Sequence, residues 1–169
     1  MFRCLKILAF LMLFNAGAIN AEEPFFKAYD KVILRNLEIT DLKNKKIKID
    51  DIFENENYII NFWATWCLPC KKELPELQKI HTELSEKKIK TYIISIDKKN
   101  TKEQLFFLKE NNIDVLVPFF DKKMNFFNSL KLRGIPTTLL INKKNKMAIK
   151  EGVIKYSYEI MDELNNFFN

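Results

Sequence analysis

Residues 58–77 read YIINFWATWCLPCKKELPEL and decide the fold of the chain. The run at 58–63 is apolar without alternation, which predicts a strand buried on both faces of a sheet. Apolar residues then recur at helical spacing, at Leu74, Leu77, Ile80 and Leu84. This pattern predicts a helix that follows Cys67 and ends near Lys88. Cys67 and Cys70 therefore lie at a strand-to-helix junction, where sites in α/β sheets are commonly built.

Strand and helix signals alternate along the rest of the chain. This order predicts an α/β fold with a mixed, largely parallel sheet, helices on both faces and one antiparallel edge. Residues 22–31 are expected to be a loose lead-in to a hairpin formed by 33–39 and 46–49. The remaining predicted elements are strands at 90–96, 115–120, 137–141 and 147–154, the last with a bulge at Gly152, and helices at 101–111, 124–130 and after Ser157. The helix at 101–111 should open on a capping box formed by Thr101 and Gln104.

Residues 1–21 have the layout of a secretory signal peptide. Basic residues precede an apolar run at 7–14, and small residues follow it. Cleavage after Ala18 or after Ala21 fits the small residues. An uncleaved membrane anchor is the alternative, although an apolar core of about eight residues is shorter than the roughly 20 that span a bilayer. The sequence therefore predicts an exported protein with one domain at 22–169.

The positive charge of the chain does not indicate a nucleic-acid partner. The formal charge is +6 at pH 7, but the lysines are scattered and lack the clustered arginines and interleaved aromatic residues of a nucleic-acid footprint. We interpret the lysines as solvated surface and expect no nucleic-acid binding.

The cysteines call for a chemical explanation. Cys4 lies in the predicted signal peptide, which leaves Cys67 and Cys70 in a compartment where disulfides persist. A structural disulfide and half of a metal site are the alternatives. Zinc normally takes four ligands, and the chain offers one histidine, His81, so a metal site is disfavoured.

A Cys-x-x-Cys pair at the start of a helix has a specific consequence. Cys67 would lie beside unpaired backbone N–H groups and the positive end of the helix dipole, which stabilise an anion. The thiolate is the nucleophilic form of cysteine. Cys70, one turn later and more shielded, suits the role of a resolving thiol.

The segment FWATWCLPCKKELP at 62–75, followed by GIPTT at 134–138, resembles the TlpA/ResA/DsbE (CcmG) branch of thioredoxin-like proteins. The resemblance extends from about Ile33 to the end of the chain. It implies a thioredoxin-like fold with an amino-terminal β-hairpin extension, a central insertion and a mixed sheet flanked by helices. Asn61 departs from the cytosolic thioredoxin pattern, which has a buried aspartate there, and agrees with this branch.

The resemblance also implies roles for individual residues. Pro136 is expected to follow a cis peptide bond, and the backbone around Ile135 to pair with an extended substrate. Trp66, Pro69, Ile135 and Pro136 are the expected substrate contacts, while Trp63 is equally explained by core packing. Glu73 matches an acidic residue near the active site and would take the proton of Cys70 and disfavour the thiolates. The alternative for Glu73 is an ordinary exposed glutamate.

Together these features predict an extracytoplasmic protein-disulfide reductase that works as a monomer without a dissociable cofactor or metal. By resemblance, its clients would be apocytochrome c or the cysteines of a copper site in cytochrome oxidase assembly. A membrane thiol–disulfide carrier would donate the electrons. The alternatives are a disulfide-forming oxidant of the same fold, a copper or cysteine-site chaperone without turnover, and a peroxidase of the peroxiredoxin group. The oxidant is disfavoured because Leu68 and Pro69 place no histidine between the cysteines.

Overall fold

A computed structural model describes residues 23–30, 36–53 and 56–169 of the chain. The predicted signal peptide at 1–21 and the start of the predicted hairpin at 33–35 lie outside the described residues. No helix within those three ranges is long and apolar enough to cross a membrane.

The strands are β1 (Lys27–Tyr29), β2 (Glu38–Thr40), β3 (Lys46–Lys48), β4 (Asn57–Trp63), β5 (Ile89–Ser95), β6 (Val117–Phe120), β7 (Thr137–Ile141) and β8 (Met147–Glu151). The α-helices are α1 (Leu68–Leu84), α2 (Thr101–Glu110), α3 (Asn125–Ser129) and α4 (Tyr158–Phe168). Short 3₁₀ turns follow β3 at Ile49–Asp51 and α1 at Ser85–Lys87. From β2 onward, the predicted order of elements is therefore confirmed for the described part of the chain.

The strands form one mixed sheet in the order β1-β8-β7-β4-β5-β6-β2-β3. β4, β5 and β6 run parallel to one another; β7, β8 and β1 add antiparallel strands beside β4, and β2 and β3 add antiparallel strands beside β6. The expectation of a largely parallel sheet with one antiparallel edge was wrong, because antiparallel strands flank the parallel core on both sides, including the hairpins β2–β3 and β7–β8. A short hairpin connection produces an antiparallel pair, whereas parallel pairs need a crossover.

Helices cover both faces of the sheet, as predicted. Consecutive side chains of a strand point to opposite faces. Phe62 packs against Phe126 of α3, with ring centroids 5.3 Å apart. Its neighbour Trp63 stacks on Phe107 of α2 at 5.7 Å. The two helices therefore lie on opposite faces of β4, and α2 and β6 together occupy the place of the expected central insertion.

Two local expectations were wrong. Residues 22–31 are not only a loose lead-in, because Lys27–Tyr29 forms β1 and pairs with β8. The cap of α2 is Asn100, whose side chain accepts a hydrogen bond from the Glu103 N–H at 2.9 Å. The buried Gln104 instead donates to the Lys99 carbonyl at 2.7 Å. An asparagine caps a helix as well as a threonine does.

The register of β4 places two distant segments at one edge of the sheet. Phe62 pairs with Thr137 at the start of the antiparallel β7, so the end of β4 and the start of β7 lie side by side. The loop from β4 to α1 and the loop that precedes β7 therefore share this edge. The candidate site is built from these two loops.

Candidate active site

Cys67 is the N-cap of α1. Its backbone is extended (φ −84°, ψ 101°), and its Sγ accepts a hydrogen bond from the Cys70 N–H at 3.2 Å. Its own N–H donates to the Ala64 carbonyl at 3.1 Å, which closes the turn from β4 into the helix. Pro69 lies in the first helical turn, where the missing N–H is not needed. The predicted position of Cys67 at a helix start is thus confirmed.

Cys67 and Cys70 form a disulfide, with their Cα atoms 5.3 Å apart. Cys67 retains 4% of its accessible surface, whereas Cys70 is completely buried. The flanking Trp66 and Leu68 are both largely exposed. An approaching molecule therefore meets an apolar rim around the sulfur of Cys67 and cannot reach Cys70 directly.

Glu73 is a fully buried carboxyl one turn after Cys70 on α1. Its Oε1 accepts from the Ile154 N–H at 2.8 Å, and its Oε2 accepts from Asn61 Nδ2 at 2.9 Å. Burial outweighs these two hydrogen bonds and raises the pKa of Glu73 from 4.5 to about 7. The alternative of an ordinary exposed glutamate is therefore excluded.

Asn61 connects Glu73 to the neighbouring strand. Its Nδ2 also donates to the Thr138 hydroxyl at 2.9 Å, and both side chains are fully buried. The sheet register places Asn61 beside the distant Thr138, and the packing of α1 on the sheet brings Glu73 to the same amide. Sequence reasoning missed Thr138 and the Ile154 N–H, although the GIPTT signal marked the first of them.

A second buried carboxylate, Asp97, holds the loop that carries Cys67. It accepts hydrogen bonds from the N–H and the hydroxyl of Thr65, and from the Lys99 N–H at 3.0 Å. Burial would raise the pKa of Asp97, but these hydrogen bonds lower it below its ordinary value. Asp97 stays ionised at neutral pH and ties the end of β5 to the turn before α1. No sequence motif had singled it out.

The loop before β7 contains the expected cis peptide bond, between Ile135 and Pro136. Pro136 is buried and its carbonyl accepts from the Gly152 N–H at 2.9 Å. Gly152 has a φ of +88°, a conformation that favours glycine, and it lies just beyond β8 rather than in a bulge within the strand. The residues predicted to contact substrate lie near this edge of the sheet. Trp66, Pro69 and Ile135 are at least partly exposed there, whereas Trp63 is buried and belongs to the core.

The described ranges contain no group of three or more histidine, cysteine or acidic side chains arranged to hold a metal ion. His81 lies near the end of α1, half-buried, and burial lowers its pKa. It is therefore remote from the cysteine pair at the other end of the helix.

Comparison with known proteins places this geometry in a family. A model described as the AhpC/TSA family matches residues 31–150. The chain belongs to the AhpC/TSA family. Thiol-disulfide oxidoreductase ResA of Bacillus cereus is 29% identical over 150 residues, which cover 86% of this chain and 84% of the relative.

Two solved structures share the fold of this AhpC/TSA family member. A secreted thiol-disulfide isomerase from Corynebacterium glutamicum superposes with a TM-score of 0.66 at 22% identity, covering 86% of this chain and 95% of the other. StoA from Bacillus subtilis superposes with a TM-score of 0.63 at 22% identity, covering 78% of this chain and 98% of StoA. The fold is thioredoxin-like, the resemblance to the TlpA/ResA/DsbE branch is confirmed, and the chain is a thiol:disulfide oxidoreductase.

The buried Glu73 predicts a pH-dependent stability. Its pKa is higher in the fold than in the unfolded chain, so the fold binds the proton more tightly and loses stability as pH rises from 4.5 to about 7. Relative to Glu73→Gln, the wild type should lose about 3 kcal/mol across this window. Urea unfolding of the oxidised protein between pH 4 and pH 8 measures the difference.

The exposed Glu86 provides the matched control. Glu86→Gln should follow the wild-type pH dependence throughout. A Glu73→Gln curve parallel to that of the wild type would show that the buried carboxyl titrates normally and would contradict the prediction.

Proposed function

We propose that the chain is an extracytoplasmic protein-disulfide reductase in which Cys67 attacks and Cys70 resolves. The observation that carries this proposal is the position of Cys67 as the N-cap of α1, with its sulfur already accepting the Cys70 N–H. The same hydrogen bond and the helix dipole would stabilise a Cys67 thiolate. Complete burial of Cys70 restricts it to attack within the protein.

The proposed cycle transfers two electrons. The Cys67 thiolate attacks one sulfur of a client disulfide, forms a mixed disulfide and releases the other client sulfur as a thiolate. Cys70 then loses its proton and attacks the Cys67 sulfur, which releases the second client thiolate. The client disulfide is thereby reduced, and the chain is left with the Cys67–Cys70 disulfide. A thiol donor must reduce this disulfide before the next cycle.

Glu73 is the proposed acceptor of the Cys70 proton. It lies three residues after Cys70 on the same helix, so the two side chains lie on neighbouring positions of its surface. A base with a pKa near the working pH transfers protons most effectively, and the pKa of Glu73 is about 7. Once ionised, the same carboxylate disfavours a second anion nearby, which destabilises the dithiolate and favours the disulfide.

The exposed groups around the pair suit an extended client segment. Trp66 and Pro69 offer apolar surface beside Cys67, and the backbone of Ile135 lies at the loop before β7. A peptide that paired with the Ile135 backbone would lie against Pro136 and present its cysteine to Cys67. Backbone pairing would place few demands on the client sequence.

The proposed clients are secreted or membrane-bound proteins with disulfides, such as apocytochrome c or the copper-site cysteines of cytochrome oxidase. This assignment rests on the similarity to ResA and on the TlpA/ResA/DsbE-like motif. The proposed electron donor is a membrane thiol–disulfide carrier. The proposal needs no dissociable cofactor, no metal and no nucleic acid, and it treats the protein as a monomer.

Export is part of the proposal and rests on the signal-like layout of residues 1–21. The mature domain would then be 22–169. An oxidising compartment supplies disulfides that need reduction, whereas the cytosol keeps thiols reduced. The proposed extracytoplasmic location and the proposed role as a reductant therefore support each other.

The proposed roles of Cys67 as attacking thiol and Cys70 as resolving thiol predict that the two serine variants trap different amounts of client protein. Cys70→Ser leaves a thiol that attacks but cannot be resolved, so mixed disulfides with client proteins should accumulate. Cys67→Ser should trap few or none, because Cys70 is buried. Non-reducing gels of affinity-purified protein from the native host measure the adducts. The double serine variant controls for adventitious binding, and equal trapping by the single variants would contradict the assignment.

The reductant role predicts a low reduction potential, below about −200 mV and far from the roughly −120 mV of strong oxidants. Glu73→Gln should make the pair a weaker reductant at pH 8 by about 30 mV, the equivalent of one pKa unit. At pH 6 the effect should shrink, because the wild-type carboxyl is then largely protonated. Equilibration with glutathione or dithiothreitol, followed by alkylation and mass spectrometry, gives the values.

The distant Glu86→Gln variant should keep the wild-type potential at both pH values. A potential near the oxidant end of the scale that Glu73→Gln leaves unaltered would reverse the proposed direction of electron flow.

The export proposal predicts a mature chain that begins near residue 19 or 22 and is recovered outside the cytoplasm. Amino-terminal sequencing of the protein from its native host, after cell fractionation, tests both points. A full-length chain that begins at Met1 and remains in the cytosol would refute export and the compartment argument together.

A further inference from the structure

The partner of Glu73 inside the sheet is the amide of Asn61. This side chain belongs to β4, is fully buried, and uses its nitrogen twice: toward Glu73 Oε2 and toward the Thr138 hydroxyl, at 2.9 Å each. An amide nitrogen carries two hydrogens, so both are engaged. The amide oxygen has no hydrogen-bond partner among the described residues.

We propose that Asn61 is a positioning residue for Glu73, and that the Thr138 hydroxyl, which accepts the second N–H of the Asn61 amide, anchors that amide beside the carboxyl. This inference rests on the proposed role of Glu73 in taking the Cys70 proton. It assigns to the centre of β4 a part in the chemistry that takes place at the start of α1.

Only one orientation of the Asn61 amide is favourable when Glu73 is ionised. If the amide were rotated by half a turn, its oxygen would face Glu73 Oε2 and the Thr138 oxygen at the positions now occupied by nitrogen. Oxygen against a carboxylate repels, and a buried carboxylate that loses a donor loses stabilisation. Asn61 therefore stabilises the charged form of Glu73 and opposes the effect of burial.

Within the described part of the chain, Glu73 has no charged partner that would make the amide redundant. Its hydrogen bonds come from the neutral Asn61 of β4 and from the Ile154 N–H after β8, and no charged group among the described residues contributes to its pKa shift. Thr138 of β7 contacts Asn61 and is neutral. Cys70, one turn back on α1, is the titratable group that the proposed mechanism already uses.

An amide is better suited to this position than a carboxyl. An ionised aspartate at 61 could not donate to an ionised Glu73, and two carboxyl groups about 3 Å apart cannot both ionise. One of the two carboxyl groups would hold a proton at neutral pH, so Glu73 would no longer be the single proton acceptor at this point. The asparagine keeps one titrating group at this point of the core.

The first experiment follows the ¹³C resonance of the Glu73 carboxyl in the oxidised protein as pH is varied. The wild type should titrate at about pH 7. The near-isosteric Asn61→Leu should raise the midpoint by about one unit, the size of the effect when a buried carboxylate loses a hydrogen-bond donor. Thr138→Val should raise it by less, because the amide is retained but no longer anchored.

Thr138→Ser is the matched control, because it keeps the hydroxyl and should keep the wild-type midpoint. If Asn61→Leu fails to fold, the comparison of Thr138→Val with Thr138→Ser still tests the anchor. Wild-type midpoints in both Asn61→Leu and Thr138→Val would overturn the inference.

The second experiment separates positioning from a merely structural role. The rate at which Cys70 resolves a Cys67 mixed disulfide is measured against pH for the wild type, Asn61→Leu, Glu73→Gln and the double variant. Asn61→Leu should shift the pH profile of the resolution rate to higher pH, by the same number of pH units as the midpoint of the Glu73 carboxyl. In the Glu73→Gln background it should not move the profile at all.

An equal displacement in both backgrounds would show that Asn61 acts without Glu73 and would overturn the inference. If the Glu73 midpoint moves in Asn61→Leu while the resolution profile does not, the amide still positions the carboxyl. The role of Glu73 in the proposed function would then be the part that fails.

Discussion

The burial of β4 between β5 and β7 is the constraint on which the site depends. Seven residues of β4 pair with β5 and five pair with β7, so the strand is hydrogen-bonded along both edges. Hydrogen bonds on both edges and apolar packing on both faces leave it no alternative register. The strand therefore delivers Cys67 to the end of the sheet from a fixed direction, and it holds Asn61 under the helix that Cys67 begins.

A carboxyl in this core works against stability. A buried group with a raised pKa means that the fold tolerates its charged form poorly, and an apolar side chain of similar size would pack there without that penalty. The two neutral donors at Glu73 offset only part of the effect. This cost, together with its place one turn from a redox-active pair, is the ground on which a chemical role for Glu73 is proposed.

Much of this architecture could be predicted from local sequence. The apolar run of β4, the helical spacing after Cys67 and the GIPTT segment each identify their element. The cis bond before Pro136 was expected from the family resemblance alone, and it is present. The contacts that join distant segments could not be predicted. Glu163 of α4 accepts hydrogen bonds from the N–H groups of Phe25 and Phe26 beside β1, and no periodicity in the sequence predicts this contact. The same holds for Asp97 and Thr65.

The two tryptophans occupy contrasting environments. Trp63 is enclosed in the core and stacked on Phe107, whereas Trp66 is 64% exposed next to Cys67. Indole emission shifts toward the blue in apolar surroundings, and a neighbouring disulfide quenches it. Trp66 is thus placed to respond to the disulfide, and its emission can report the oxidation state of the pair optically, without any added label.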